Sequence, residues 1–190
     1  MRTLTYYVAT SLDGRIAAPD GDFGMFPVEG DHMPVLLRDF ADTIPAHVAG
    51  ALGVEADRSR FDTVVMGRRT YLPALEAGIA SPYPHLRQVV ATRHGGDLPD
   101  AIETTDDPVA AVRALKQEAG SGIWLAGGGE LAGALIDEID HLILKINPLV
   151  MGAGIPLFGG LAHGVRRFAR TGVRAFASGV VIAEHARVRD

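Results

Sequence analysis

The chain has 190 residues, a formal net charge of −5 and a 47% share of hydrophobic residues. Since a globular domain typically has roughly 100–200 residues, these values predict a single domain over residues 1–190 with a sizeable core. The negative charge argues against nucleic acid and anionic membranes as partners. The chain has no cysteine and its 7 histidines are scattered, so we expect neither disulfides nor a metal site. Because the N-terminus leads directly into a strand-like run without a signal segment, a cytoplasmic location is expected.

The first half of the chain alternates between strand-like and helix-like segments. Leu4–Thr10 is rich in β-branched and aromatic residues and predicts a buried strand. Between residues 31 and 52 apolar residues recur at helical spacing, and Pro45 divides this stretch, so two short helices are expected. A second, almost wholly apolar strand over residues 62–66 ends at Gly67, and a short helix is predicted directly after it.

The second half repeats this alternation and ends in strands alone. Its predicted elements are a strand at 89–92 with a turn at 93–96, a helix from Pro108 to Gly120 with Asp107 as N-cap, a strand at 123–126, a helix at 130–136 and a strand at 142–146. The tail, residues 165–188, alternates more loosely, as antiparallel edge strands do. The order of elements predicts an α/β fold with a mixed, mostly parallel central sheet flanked by helices and an antiparallel C-terminal edge.

Two glycine corners, each joining an apolar strand to a helix, are candidate ligand-binding elements. They are Gly67-Arg68-Arg69-Thr70 and Gly127-Gly128-Gly129. In an open α/β sheet, ligands bind beyond the carboxyl ends of the strands, where helix N-termini offer free N–H groups to anions. Each corner alone could be an ordinary turn, and each arginine, Arg93 included, could be a solvated surface residue. Together they favour a dinucleotide held at both corners, and an arginine near the ribose favours NADPH over NADH.

The triple glycine does not mark a Rossmann dehydrogenase. Gly127, Gly129 and Ala132 fit the pattern G-x-G-x-x-G/A, but the next strand runs into residues 147–149 without the acidic residue that binds the ribose. The motif also stands late in the chain rather than at its first strand. A phosphate-binding P-loop sequence is absent as well.

Five sequence blocks, taken in order, are typical of one family. They read TSLDGRIA at 10–17, VVMGRRTY at 64–71, WLAGGGEL at 124–131, DEID at 137–140 and PLVMGAGIPLF at 148–158. Over nearly its whole length the chain resembles the dihydrofolate-reductase-like superfamily, in the branch of the C-terminal reductase domain of bifunctional riboflavin-biosynthesis deaminase-reductases. The resemblance implies an NADPH-dependent reductase that transfers a hydride to a pteridine-like or pyrimidine-like substrate, similar to 5-amino-6-(5-phosphoribosylamino)uracil reductase.

The resemblance also implies which residues hold NADPH. The nicotinamide would lie at Ala9 and Ile16, and the 2′-phosphate at Thr92 and Arg93. The remaining phosphates and the nicotinamide ribose would be held by two groups of residues, Gly67, Arg68, Arg69 and Thr70 at the first corner, and Gly127, Gly128, Gly129, Glu130 and Leu131 at the second.

Two aspartates are candidate catalytic residues. Asp31 falls near the place where dihydrofolate reductases keep a carboxylate on the first helix, but it could instead be a helix N-cap. Asp13 follows the first strand, where it could relay a proton or orient a substrate amine, or could bond its own backbone in an Asx turn. The proton for the reduction would come from Asp31, Asp13 or a bound water.

The chain departs from the riboflavin-pathway pattern at Tyr7 and Ala126, which replace a lysine and a glutamate. This departure supports an alternative, a non-catalytic nucleotide-binding or structural dimer module of the same fold. A homodimer is expected from the resemblance, with residues 142–160 either at its interface or in the core. Residues 27–60 are expected to cap the substrate pocket and to decide its specificity.

Overall fold

The computed structural model describes residues 1–93 and 98–189, so of the turn predicted at 93–96 only Arg93 is described. The strands are β1 (Leu4–Thr10), β2 (Arg15–Ala17), β3 (Phe61–Gly67), β4 (Arg87–Ala91), β5 (Glu103–Thr105), β6 (Gly122–Gly127), β7 (His141–Ile146), β8 (Ile155–Pro156), β9 (Phe168–Ala175) and β10 (Val181–Arg187). The helices are α1 (Met33–Asp39), α2 (Ala46–Leu52), α3 (Arg68–Glu76), α4 (Pro108–Gln117) and α5 (Gly129–Ala134), with a 3-10 turn at Ala41–Thr43.

One eight-stranded sheet organises the structure, in the order β5-β4-β3-β6-β1-β7-β10-β9. The strands from β5 to β7 are all parallel, whereas β10 runs antiparallel to β7 and β9 antiparallel to β10. The carboxyl ends of six neighbouring strands therefore meet at one edge of the sheet, which we call the carboxyl edge. The predicted mixed, mostly parallel sheet with an antiparallel C-terminal edge is confirmed.

Helices cover both faces of the sheet. On one face, α4 and α5 pack on a core that includes Leu4, Tyr6 and Leu125. On the other face, α3 packs around Met66 and α1 packs with Ile143 and Ile182. Since β7 is paired on both sides and buries Leu142 and Ile143, this part of the region 142–160 belongs to the core rather than to an interface.

Local sequence signals explain how several helices begin. The Asp107 carboxylate accepts a hydrogen bond from the Ala110 N–H at 2.9 Å, and Pro108 occupies the first turn of α4, as predicted. Pro45 is the N-cap of α2, so the predicted division of residues 31–52 is confirmed. None of the described helices has the length and hydropathy needed to cross a bilayer.

The loop that leads from α2 into β3 is attached through Asp42. This carboxylate is only 2% exposed and accepts hydrogen bonds from the backbone N–H groups of Arg58, Arg60 and Phe61 at 2.8–3.0 Å. The three bonds satisfy a buried charge that would otherwise be costly. They also fix the segment containing α1 and α2 against the start of β3.

Candidate functional site

The two glycine corners lie side by side at the carboxyl edge. Strands β3 and β6 are neighbours, and Met66 is paired with Gly127. A Cβ atom placed on Gly67 would lie 3.7 Å from the backbone N of Gly128 and 3.8 Å from the carbonyl oxygen of Gly127. A Cβ atom on Gly128 would lie 3.6 Å from the Thr70 hydroxyl oxygen. The structure therefore brings residues 67–70 and 127–129 together around one narrow gap.

The glycines at these corners are present for different reasons. Gly127 has φ +133°, a backbone conformation that favours glycine, and the peptide bond from Gly127 to Gly128 is cis. A Cβ atom on Gly129 would overlap the carbonyl oxygen of Pro156, so close packing requires glycine there. Gly67 (φ −75°) and Gly128 (φ −93°) have dihedrals open to any residue, and an added methyl would make only ordinary contacts. At these last two positions neither a positive φ nor close packing requires glycine.

Three arginines stand at the same edge. Arg68 is half-buried and Arg69 is exposed in the first turn of α3, and Thr70, also exposed, follows them. Strand β4 pairs with β3 so that Ala91 lies opposite Gly67, and the next residues, Thr92 and Arg93, leave the sheet beside the first corner. The Thr92 N–H donates to the Thr105 carbonyl at 2.8 Å, which holds this exit in place. Three arginines are thus placed, by their position in the chain, at the strand ends next to the first corner.

The other predicted cofactor residues are placed at or next to this edge. Ala9 is half-buried near the end of β1, the strand that follows β6 in the sheet, and Ile16 is half-buried in β2. Glu130 is exposed in the first turn of α5. Leu131 differs from them, because its side chain is 8% exposed and belongs to the core under α4 and α5. Only the backbone of Leu131 is available to a ligand.

Asp13 joins the turn after β1 to the segment after β7. Its carboxylate accepts hydrogen bonds from the Ser11 hydroxyl at 2.6 Å and from the backbone N–H groups of Met151 at 3.0 Å and Gly152 at 2.7 Å. These hydrogen bonds lower the pKa of Asp13 to about 2, and the bond from Ser11 makes the largest contribution. The carboxylate is therefore ionised at neutral pH, and its hydrogen bonds fix the two loops to each other.

Asp31 has a comparable role at the start of α1. Its carboxylate accepts hydrogen bonds from the backbone N–H groups of Ser178 at 3.0 Å and Ala177 at 2.7 Å, and these bonds lower its pKa. The N-cap of α1 is His32, so the alternative that Asp31 caps this helix is wrong. Asp31 instead attaches the β9–β10 turn to the start of α1.

An apolar groove lies on the α1 face of the sheet, between β1 and the helices α1 and α2. This cavity of about 140 Å³ is lined by Tyr7, Met33, Leu36, Leu37, Phe40, Thr43, Ile44, Val48 and Leu52. The rings of Tyr7 and Phe40 are stacked, with centroids 4.3 Å apart. Burial raises the pKa of Tyr7, so its phenol stays neutral. The sequence predicts that residues 27–60 cap the substrate pocket but does not single out individual lining residues. The helical spacing of residues 33, 36, 37 and 40 is the signal that could identify them.

A second cavity, of about 340 Å³, lies at the opposite edge of the sheet. Its lining includes Thr3, Phe61, Gly122 and His141, which stand at or before the amino ends of their strands. It is therefore remote from the glycine corners. Both cavities include a residue of β1, but Tyr7 of the smaller apolar groove lies nearer to the carboxyl end of this strand than Thr5 of the larger cavity.

Comparison with solved structures defines the class of fold. A dihydrofolate reductase from Enterococcus faecalis, solved in complex with NADP(H), superposes with a TM-score of 0.65 and 16% identity, covering 98% of this chain and 97% of that one. A putative riboflavin biosynthesis protein from Shewanella superposes with a TM-score of 0.72 and 20% identity, covering 98% and 99%. The protein has a dihydrofolate-reductase-like fold.

The family is narrower than the fold. The family model of the RibD C-terminal domain matches residues 2–182, so the chain belongs to this family. An uncharacterised Bacillus subtilis protein, YwjB, is 34% identical over 169 residues, which cover 85% of this chain and 86% of that protein. The resemblance inferred from the five sequence blocks is confirmed, and both family and fold are those of reductases.

Proposed function

We propose that this protein is an NADPH-dependent oxidoreductase that transfers a hydride to a C=N or C=O carbon of a pteridine-like or pyrimidine-like substrate. The observation that carries the proposal is the pair Gly67 and Gly128. These glycines face each other across the gap at the carboxyl edge although neither a positive φ nor close packing requires them there. A ligand that must approach the backbone closely accounts for both.

The residues around this gap fit the phosphates of NADPH. The N–H groups of the first turn of α3 point out of the carboxyl edge, and Arg68 and Arg69 stand in that turn. Arg93, beside the same corner, is suited to the 2′-phosphate that distinguishes NADPH from NADH. Ala9 and Ile16 would border the nicotinamide, since both are close to the carboxyl end of β1.

The groove beside Tyr7 is the proposed site of the substrate ring. Apolar and aromatic side chains line most of it, and the stacked rings of Tyr7 and Phe40 form one wall for a flat heterocycle. NADPH, when bound, supplies the hydride. The chain contributes alignment of the two rings and exclusion of bulk water. Because Asp13 and Asp31 are ionised anchors, we assign the proton to a bound water.

One observation favours the alternative of a nucleotide-binding module without turnover. Within the part of the chain that the structure describes, none of the residues that line the groove is acidic, and the family's lysine and glutamate positions hold Tyr7 and Ala126. The two functions separate in one experiment. NADPH is titrated into the purified protein by fluorescence, and its oxidation is then followed with dihydrofolate and with 5-amino-6-(5-phosphoribosylamino)uracil. Binding with oxidation supports the reductase, binding without oxidation supports the module, and absence of binding refutes both.

We also propose a homodimer as the assembled form. Strand β9 ends the sheet, and within the described residues its outer edge has no partner strand. Val173 on this strand is 52% exposed. Unpaired edges are places where a second chain can add. Sedimentation equilibrium tests this proposal, and a molecular mass equal to one chain at micromolar concentration refutes it.

A further inference from the structure

The chain contains only two lysines, and they differ in their surroundings. Lys116 is 5% exposed, and its ammonium lies 2.7 Å from the Asp140 carboxylate and also donates to the Glu138 carbonyl. Lys145, on β7, is half-buried, yet within residues 1–93 and 98–189 its ammonium makes no ion pair or hydrogen bond. The contacts of Lys116 account for a lysine at that position, whereas within the described residues no contact of the ammonium accounts for Lys145.

The sheet register places Lys145 next to the candidate site. Lys145 lies opposite Ala9 of β1 on one side and opposite Ile182 of β10 on the other. Residues directly opposite each other share a face of the sheet, and Ile182 is buried against α1. Lys145 therefore lies on the α1 face, the face of the groove. Along β7 it stands two residues closer to the carboxyl edge than Ile143, which is paired with Tyr7.

The charged side chains on this face of β9 and β10 are already paired with each other. Arg174, opposite Ile182, lies 3.3 Å from the Glu184 carboxylate and also pairs with Asp39. Glu184, opposite Ile143, also lies 3.2 Å from Arg60. Burial lowers the pKa of Lys145, which shows that the surroundings disfavour its charge.

We propose that Lys145 is the substrate-binding cation of the site, donating a hydrogen bond to an oxygen of the heterocyclic substrate. The acceptor is either a ring carbonyl oxygen or an oxygen of a phosphate attached to the substrate. The apolar groove holds the ring, and Lys145 supplies the polar contact that fixes its orientation beside Ala9. This inference rests on the proposed function. It adds that the substrate carries a hydrogen-bond acceptor oxygen on the side that faces β7.

The first test is chemical and does not require turnover. The protein is labelled with acetic anhydride at pH 8, and modification of Lys145 and Lys116 is quantified by peptide mass spectrometry. We expect Lys145 to react faster than the paired Lys116. Two probes are then added in the presence of saturating NADPH: 5-aminouracil, which has ring carbonyls and no phosphate, and ribose 5-phosphate, which has the phosphate and no ring. Protection of Lys145 by one probe identifies the acceptor, and no protection by either probe overturns the proposal.

The second test uses two variants. Lys145→Met keeps the length of the side chain and removes its charge, and Lys145→Arg keeps the charge. Since a hydrogen bond to a charged group contributes a factor of about 10–100 in affinity, the Kd of the protecting probe should rise by about that factor in Lys145→Met and by much less in Lys145→Arg. The Kd of NADPH should stay within about twofold in both variants. Unchanged probe affinity in Lys145→Met refutes the role of Lys145, whereas absence of NADPH binding to the wild-type protein refutes the proposed function itself.

Discussion

Replacing Gly67 by alanine separates the stability of the fold from the binding of NADPH. The added methyl would project into the gap between the corners, 3.7 Å from the backbone N of Gly128. The backbone at Gly67 has φ −75° and ψ 155°, so alanine adopts it without strain. Alanine reduces the freedom of the unfolded chain, but Gly67 is the N-cap of α3, where alanine is less favourable than glycine. Because these two effects oppose each other, we expect stability to change by less than about 1 kcal/mol.

The effect on NADPH should be large in comparison. A methyl group that keeps the phosphates from approaching the backbone should raise the Kd by about 10- to 100-fold, which corresponds to about 1.4–2.7 kcal/mol. In thermal denaturation, NADPH at 100 times its Kd stabilises the wild-type protein by about 2.7 kcal/mol, or roughly 5–11 °C in Tm for a domain of this size. At the same concentration the variant should lose about half or more of that shift.

The matched control is Gly172→Ala on β9. There too the backbone angle is unremarkable and a Cβ atom would meet only ordinary contacts, the nearest at 3.7 Å from Glu184. This variant should bind NADPH like the wild-type protein. If Gly67→Ala binds NADPH as tightly as Gly172→Ala does, the gap between the corners is not the cofactor site and the reasoning fails.

Three further changes probe other parts of the site. Gly129→Ala should lower stability by about 1–3 kcal/mol or more, because its methyl overlaps the Pro156 carbonyl oxygen, and an unchanged Tm would contradict this packing. Arg93→Ala should raise the Kd of NADPH by about tenfold and leave the Kd of NADH unchanged. Equal losses of affinity for both coenzymes would show that Arg93 does not bind the 2′-phosphate. The pKa of Asp13, about 2 in the folded protein, lies below its unfolded value of about 3.9, so its charge stabilises the fold above pH ~4 and this contribution is lost as the pH falls through about 2. Asp13→Asn should therefore be less stable than the wild-type protein at pH 6 but no longer so at pH 2, as urea unfolding at both pH values would show.

The sheet and the glycine corners could be predicted because their signals are local. Strand β3 is an almost unbroken apolar run that ends at Gly67, and β6 is another that ends at Gly127. In a parallel sheet such strand ends meet at one edge, whichever order the strands take. The short strands β2, β5 and β8 were missed, since segments of two or three residues have no periodicity to detect.

The roles of the two aspartates could not be predicted, because their partners are distant in the sequence. Asp13 binds backbone N–H groups 138 and 139 residues further on, and Asp31 binds groups 146 and 147 residues further on. A local motif offers only an Asx turn or an N-cap for such residues. Only the folded structure shows that the carboxylate oxygens of Asp13 and Asp31 accept hydrogen bonds from loops in the C-terminal part of the chain.

The groove walls come from one contiguous stretch. Apart from Tyr7, the described residues that line it lie between Met33 and Leu52. Asp31 fastens the start of that stretch to the β9–β10 turn, and Asp42 fastens its middle to the start of β3. The proposed coenzyme site, in contrast, is assembled from β1, β3, β4 and β6. If the proposed function holds, changes confined to residues 33–52 can alter substrate preference without changing the residues that bind the coenzyme.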